Sequence, residues 1–561
     1  MAPYSRRPVV APRVSGVALR AFVSVLESGA LGSALLGKVT RDSGLDEFRS
    51  TPAPHSSPIQ VPLPLDERAP ASRPGAELAA EAVAAPQVAR GMRLQTVAAF
   101  GEAYRAGKTD PVQVARMLHQ HIERLDHGPD RMAFFIARKP EEVLMAAERS
   151  AERLKKGTAL SPFDGVPVVV KDEVDFEGFP TTLGTSFMNT PAARDSTVVA
   201  RLKAAGAVIL GKANMNEIGI NPIGVNPHHG ACRNPYDRSR ICGGSSSGSA
   251  AVVAAGLVPM AIGLDGGGSI RIPASLCGVV GLKATFGRIS EAGVPPLCWT
   301  PGHLGPIGLT VADVAAGYAL IAGPDDAEPV SLRQSGVHLS DFTKTDLKGV
   351  RLGVCRPYFE DSDASVVARC QDALRILIEA GAKIVELPPP DLNTLLWSHA
   401  VIILSEMSAS MLPHTNEDAS RFGYDTRTNL AIGRHFRATD YVHALRHRHL
   451  ITKDWISQMK DVDAVVTPTC GITAPPIPER ALPDGESNLP VVDALMRFIR
   501  VANITGFPAL SVPAGFDREG LPVGVHLMAR PYEENLLFRL GRVIEQQAEV
   551  RTPKEHASAL P

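Results

Sequence analysis

Aromatic residues are scarce in this sequence: Phe, Trp and Tyr fill 5% of its 561 positions, and only three are Trp. Net charge is almost absent, with 58 Lys and Arg against 59 Asp and Glu. That balance excludes the global basic field on which binding to a phosphate backbone rests, so no nucleic-acid partner is expected. Cysteine is sparse and scattered. The seven residues Cys232, Cys242, Cys277, Cys298, Cys355, Cys370 and Cys470 form no Cys-x-x-Cys and no paired-His spacing. A disulfide scaffold and a structural zinc site are therefore not indicated, and no metal is expected. There is no run of about 18 uninterrupted apolar residues, so a transmembrane helix is not supported. What the sequence has in plenty is Gly (49) and Pro (46), within 44% hydrophobic and 21% charged residues. This is the balance of a folded chain with many tight turns.

The length allows three domains without requiring them. Residues 51–90 hold eight prolines among Ala, Ser and charged residues, and read as an extended connector. Ahead of it, residues 1–50 form a helical extension. Leu19, Phe22, Val23, Leu26 and Ala30 recur at spacings of three and four, with Gly29 and Gly32 as breaks between two short helices. Arg6, Arg7, Arg13, Arg20 and Lys38 flank that apolar face. Two readings stand side by side: residues 15–38 lie on an anionic membrane surface, or they pack on the main domain or a second subunit. A cleaved targeting peptide is a third.

From residue 91 to 561 helical and strand patterns alternate without a further linker, so one domain is expected. Strands are predicted at 165–170, 207–210, 350–355, 383–387 and 463–467, and helices at 112–125, 196–205 and 364–380. The stretches 510–516 and 521–528 read as a hairpin and 533–547 as a closing helix. This pattern predicts an α/β fold with a large mixed, mainly parallel sheet flanked by helices.

Two glycine–serine clusters carry the chemistry, Gly243–Ala250 and Asp265–Pro273. Neither has the Lys-Ser/Thr of a Walker A loop nor the spacing of a dinucleotide fingerprint, and no chain-ordered Asp and His partners follow a Gly-x-Ser-x-Gly. Ser269 is preceded by three glycines whose N–H groups can converge on an oxyanion. A second serine and a neutral amine could activate it, and Lys171, closing the apolar run Val168–Val170, is the candidate base. Taken singly, Ser245 and Ser269 are equally turn serines, and Lys171 a strand-end lysine.

Together, Lys171, the two clusters and the 24-residue step from Ser245 to Ser269 resemble the amidase signature family of serine hydrolases. Within it, the plant-type fatty acid amide hydrolase branch is similar over nearly the whole length. Matching stretches include Gly211–Met215, Tyr424–Thr428, Asp463–Pro476 and Asn503–Ala514. The resemblance implies a Ser-cis-Ser-Lys triad, with Ser269 as nucleophile, Ser245 in a cis Gly244–Ser245 peptide as proton relay, and Lys171 as base. It further implies an oxyanion hole from the N–H groups of Gly266, Gly267, Gly268 and Ser269. Ser246 and Arg271 are implied as support behind the triad, and Gly219, Ile220, Asn221 and Pro222 as the substrate-contacting loop.

No cofactor is implied. The expected partners are a lipid amide substrate and a second copy of the chain as homodimer. The expected location is the cytosolic face of an endomembrane or plasma membrane, or the cytoplasm. Two positions depart from the family pattern. Leu264 stands where threonine is common, removing a hydroxyl beside the triad, and Ile220 and Pro222 make a usually small, polar loop apolar and stiff. Alternatives to hydrolysis of long-chain N-acylethanolamines are a short-chain or aryl acylamidase, an amidotransferase subunit, or a catalytically weakened lipid-amide-binding protein. Residues 397–412, rich in Val, Ile, Leu and Met, suit an acyl channel or ordinary core.

Overall fold

The apolar run that ends in Lys171 forms the strand Pro167–Lys171, and all five of its residues are buried. Burial on both faces explains why it reads as a continuous apolar run and not as an alternation. A computed structural model describes residues 4, 6, 13–54, 56–86, 95–128, 130–478, 482 and 484–561. Its main sheet has eleven strands. In chain order these are β1 (Phe135–Ala137), β2 (Pro167–Lys171), β3 (Val208–Ala213), β4 (Met260–Leu264), β5 (Val280–Lys283), β6 (Leu304–Gly308), β7 (Arg351–Val354), β8 (Lys383–Glu386), β9 (Ala464–Pro468), β10 (Ala509–Phe516) and β11 (Pro522–Ala529). Their order across the sheet is β8-β7-β9-β11-β10-β5-β6-β4-β2-β3-β1.

The sheet is mixed and flanked by helices, as expected, but it is not mainly parallel. Only β7 with β8 and β9, and β2 with β3 and β4, pair in parallel, while the other six pairings are antiparallel. The difference comes from β4, β5 and β6, which are Gly-rich and carry no clear alternation, so their antiparallel pairing is not visible as a pattern. The hairpin β10–β11 is where it was expected, closed by Asp517 N–H donating to Leu521 O at 2.9 Å.

Helix boundaries follow their caps. Asp110 accepts from Gln113 N–H at 2.9 Å with Pro111 in the first turn, opening Pro111–Leu125, which buries Val114, Leu118, Ile122 and Leu125. Ser196 caps Thr197–Ala204 in the same way.

Residues 51–90 differ from a wholly extended connector, because Gly75–Ala84 is a helix. No proline interrupts the run from Gly75 to Ala85, and Ala is the strongest helix former. Leu78, Ala79 and Ala82 are buried, and the helix packs on Val311–Ile321. The boundary expected at residues 90 and 91 lies outside the described residues.

In the N-terminal extension, Gly16–Leu26 and Gly29–Asp42 meet at 110°. The break falls at Glu27 and Ser28, and Gly32 lies inside the second helix, where a Cβ would stand 2.1 Å from Leu26 O. Leu19, Val23 and Leu26 are buried, and Leu26 and Leu36 meet Ala431 of the helix Tyr424–His435. Arg427 on that helix holds Glu27 at 2.9 Å. The buried face therefore packs on the protein's own body, while Val17 and Leu31 remain exposed. Among the described residues no single helix is long and apolar enough to cross a membrane.

Candidate active site

Lys171 closes β2 at the carboxyl end of a parallel pair, the end at which open α/β sheets present their ligand crevices. The register sets Val168, Val169 and Val170 beside Met260, Ala261 and Ile262 of β4. Lys171 therefore reaches the end of β4, and its Nζ donates to Leu264 O at 3.3 Å. It also donates to Ser245 Oγ at 2.8 Å, and both residues are buried. Ser245 follows a cis Gly244–Ser245 peptide just ahead of the helix Ser247–Ala254. Ser246 sits behind, its Oγ donating to Leu264 O at 3.3 Å, and its N–H donates to Ser269 O at 3.2 Å. That last bond ties together the two glycine–serine clusters, 24 residues apart in the chain. Ser269 lines the same cavity as Ser245.

The loop before Ser269 is organised by a residue that the sequence reading passed over. Asp265 is fully buried and accepts from the N–H groups of Gly268 at 2.6 Å and Ile270 at 3.1 Å. Arg271 grips it with two contacts of 3.0 Å, and the Asn503 amide donates to it at 2.9 Å. Burial works to raise the Asp265 carboxyl, but the Arg271 charge and these hydrogen bonds outweigh it and hold the group well below the usual carboxylate range. Arg271 further donates to Asn503 Oδ1 at 2.6 Å and Ile499 O at 3.1 Å, which makes it the anchor of the loop rather than a reacting group.

This arrangement corrects the expected oxyanion set. Gly268 has φ +104, and its N–H is turned into Asp265 and is not free. Among the described residues, none accepts from the N–H groups of Gly266, Gly267 or Ser269, so these three remain as candidate donors. His399 fixes the same loop from the other side. Burial lowers its imidazole to about 4, so at neutral pH the ring is uncharged, and its Nε2–H donates to Gly266 O at 2.9 Å.

The cavity holds about 30 Å³ and opens to solvent. All four residues expected in the substrate loop, Gly219, Ile220, Asn221 and Pro222, line it with Ser245, Gly266, Gly267 and Ser269. A Cβ on Gly219, whose φ is +70, would stand 3.3 Å from Ser245 Oγ. The rest of the wall is Leu264, Cys298, Ile403, Met407, Met496 and one acid, Glu173. Ile403 and Met407 come from the segment proposed as an acyl channel. The sequence reading missed Glu173, Asp265, His399 and Asn503. Glu173 lies in the turn after β2, where strand alternation no longer applies, so no local pattern places it beside Lys171. Cys242 and His228 are structural, with Cys242 against Cys232 at 3.7 Å and His228 on Glu217 at 2.5 Å.

The amidase family model matches residues 116–538. The chain is 36% identical over 578 residues to a fatty acid amide hydrolase of Arabidopsis thaliana, covering 98% of this chain and 95% of that relative. It is 34% identical over 489 residues to a glutamyl-tRNA(Gln) amidotransferase subunit of Chloroflexus aggregans, covering 82% and 97%. The structure of native peptide amidase from Stenotrophomonas maltophilia aligns with a TM-score of 0.71 at 28% identity, covering 82% of this chain and 98% of that one.

Proposed function

This chain belongs to the amidase signature family and is an amidohydrolase, and from that premise we propose that it cleaves long-chain N-acyl amides, N-acylethanolamines above all, to a fatty acid and an amine. The observation that carries the chemistry is the buried 2.8 Å contact between Lys171 Nζ and Ser245 Oγ. With Lys171 neutral, its lone pair takes the Ser245 hydroxyl proton while Ser245 takes that of Ser269, and Ser269 Oγ attacks the carbonyl carbon. The N–H groups of Gly266, Gly267 and Ser269 receive the oxyanion, where loss of one donor costs about 2.7–4 kcal/mol. The same relay then returns a proton to the departing nitrogen, which an amide requires because its anion is a very poor leaving group. Water hydrolyses the acyl-enzyme along the same path.

Support for a lipid acyl group comes from the wall of Ile220, Leu264, Ile403, Met407 and Met496, in which flexible methionines adapt to chains of varied shape. The identity with a fatty acid amide hydrolase over nearly the full length, N-terminal extension included, supports the same reading. A serine-directed fluorophosphonate is expected to label the wild type and not Ser269→Ala, and Lys171→Ala is expected to lose turnover by orders of magnitude while staying folded. A panel of ethanolamides, primary amides and anilides across chain lengths then decides the substrate. Preference for short acyl or aryl amides would sink the lipid assignment while leaving the triad intact.

Peripheral membrane contact by residues 15–38 is part of the proposal, through exposed Val17 and Leu31 beside Arg20 and Lys38. Val17→Ser/Leu31→Ser should reduce co-sedimentation with anionic liposomes, and unchanged partitioning would refute the contact. Homodimerisation is the proposed assembly, read by sedimentation velocity.

A further inference from the structure

We propose that Glu173 is the charge partner of the base: its carboxylate, beside the Lys171 amine, stabilises the ammonium that forms as the Ser245 proton arrives. The inference rests on Lys171 being the base. Glu173 is 1% exposed, and its Oε2 stands 2.5 Å from Lys171 Nζ. Among the described residues that oxygen has no hydrogen-bond partner, so its contact with Lys171 is one of charge. Lys171 is the amine beside this buried acid, and because a carboxylate buried without a compensating charge is very costly, an ammonium that forms on Lys171 during proton transfer is stabilised there.

Three acceptors surround Nζ: Glu173 Oε2 at 2.5 Å, Ser245 Oγ at 2.8 Å and Leu264 O at 3.3 Å. A neutral amine has two N–H bonds and one lone pair. Nζ has hydrogen-bond geometry toward the Leu264 carbonyl and Ser245 Oγ, so a neutral amine that gives a hydrogen to the carbonyl can turn its lone pair to Ser245, the direction from which the relay proton comes. When that proton transfers, the Ser245 O–H bond breaks, a third N–H bond forms on Nζ, and the new positive charge lies beside the Glu173 carboxylate. The acid acts toward the amine by charge, as the aspartate of a Ser-His-Asp triad stabilises the cation that forms on its histidine.

The neighbouring acid Asp172 serves a different pair. It faces Lys212 at 3.4 Å, and Lys212 spends its hydrogens on Val174 O and Thr181 Oγ1 away from the cavity. Glu173 faces the cavity, and a Cβ on Gly219 would stand 3.7 Å from its Oε1.

Other titratable groups around Glu173 and Lys171 are Glu291 and Cys298 from the segment after β5, with Glu406 from the helix Leu392–Ser410 acting on Cys298. Asp265 is already matched by Arg271. Burial, then Glu328 and Glu173, push the Glu291 carboxyl up to about 8, so Glu291→Gln is the control for the pH profile.

The experiment is the pH profile of kcat/KM for a long-chain p-nitroanilide, a substrate without a titrating group, on wild type, Glu173→Gln, Glu173→Asp, Glu291→Gln and Lys171→Ala. An adjacent opposite charge favours the ammonium, so removing it in Glu173→Gln is expected to move the acid limb of the profile to lower pH. The weaker base lowers the plateau about tenfold or more. Glu173→Asp should fall between the two, and Glu291→Gln should leave the limb in place. An unmoved limb and plateau in folded Glu173→Gln overturn the proposal, as does an equal shift in Glu291→Gln. If Glu173→Gln does not fold, Glu173→Asp carries the test, and an unshifted limb there, or failure of both to fold, overturns it too. Retained turnover in Lys171→Ala would instead sink the proposed base, whatever Glu173 does.

Discussion

Asp265→Asn keeps the outline of the side chain and removes its charge. The native carboxylate holds Gly268 N–H at 2.6 Å and Ile270 N–H at 3.1 Å, and meets Arg271 at 3.0 Å with both side chains fully buried. Removing one partner of a buried ion pair costs about 3–5 kcal/mol, because the charge left behind has neither water nor a counter-ion. A native domain is stable by about 5–15 kcal/mol in total, so the variant should fold with a much reduced margin. Urea unfolding followed by circular dichroism reads this as a lower midpoint at an unchanged slope. The second consequence concerns the loop. An amide offers one acceptor oxygen where the carboxylate offers two, so Gly268, Ile270 and the neighbouring donors lose their common anchor. Displacement on the order of 1 Å at a reacting centre costs about 10²-fold, and acylation per fluorophosphonate-titrated site should fall on that scale. Asp265→Asn/Arg271→Met separates the two effects, because an apolar replacement of a buried pair recovers much of the stability but returns no acceptor to Gly268. A single variant within about 1 kcal/mol of wild type, or a double variant that acylates at the wild-type rate, would refute the reasoning.

Three further outcomes are expected. Gly219→Ala combines a strained φ with a methyl 3.3 Å from Ser245 Oγ, and should lower kcat/KM with little change in thermal stability; an unaffected rate would show that the relay has room to spare. Below pH 6.5 the unfolded chain binds a proton that buried His399, lowered to about 4, does not. Stability should therefore drop from pH 6.5 to 4 by a term on the order of 3 kcal/mol. His399→Gln should lack that slope, and parallel stability curves would refute it. Leu78→Ala removes a side chain 1% exposed and should cost about 2–5 kcal/mol in urea unfolding; a loss too small to measure would mean that the helix Gly75–Ala84 is not docked.

Legibility in the sequence followed locality. Lys171 stood out because a lysine ending a run of valines has to be explained by something non-local, and Ser245 and Ser269 because glycines cluster around them. The strand β2 and the hairpin β10–β11 were plain from apolar runs and turn residues. By contrast, β4, β5 and β6 are short and rich in glycine, and what fixes their direction is each other. Asp265 was quoted as the start of a motif, but its partners Asn503 and Arg271 lie 238 and six residues away, and no local pattern announces such a triangle. The oxyanion set was one donor too large for the same reason: whether the Gly268 N–H points at a substrate or at Asp265 depends on the φ of one residue. His399 reads as one more polar position on an apolar helix until the fold lays it against Gly266.

The N-terminal segment poses a problem of timing. Arg68 pairs with Glu533, 465 positions later, while Phe48 meets His443 edge to face and the helix Gly75–Ala84 waits for Val311–Ile321. During synthesis these residues leave the ribosome well before the partners on which they pack. At about 5–20 residues per second, Leu78 and Ala82 stay without cover for many seconds, and Arg68 longer still. Such an interval favours wrong contacts, so the prolines spaced through residues 51–74 acquire a second value. A segment that cannot enter a sheet interior is a poor template for edge-to-edge association, and it keeps the leading part of the chain harmless until the last strand and the closing helix have formed.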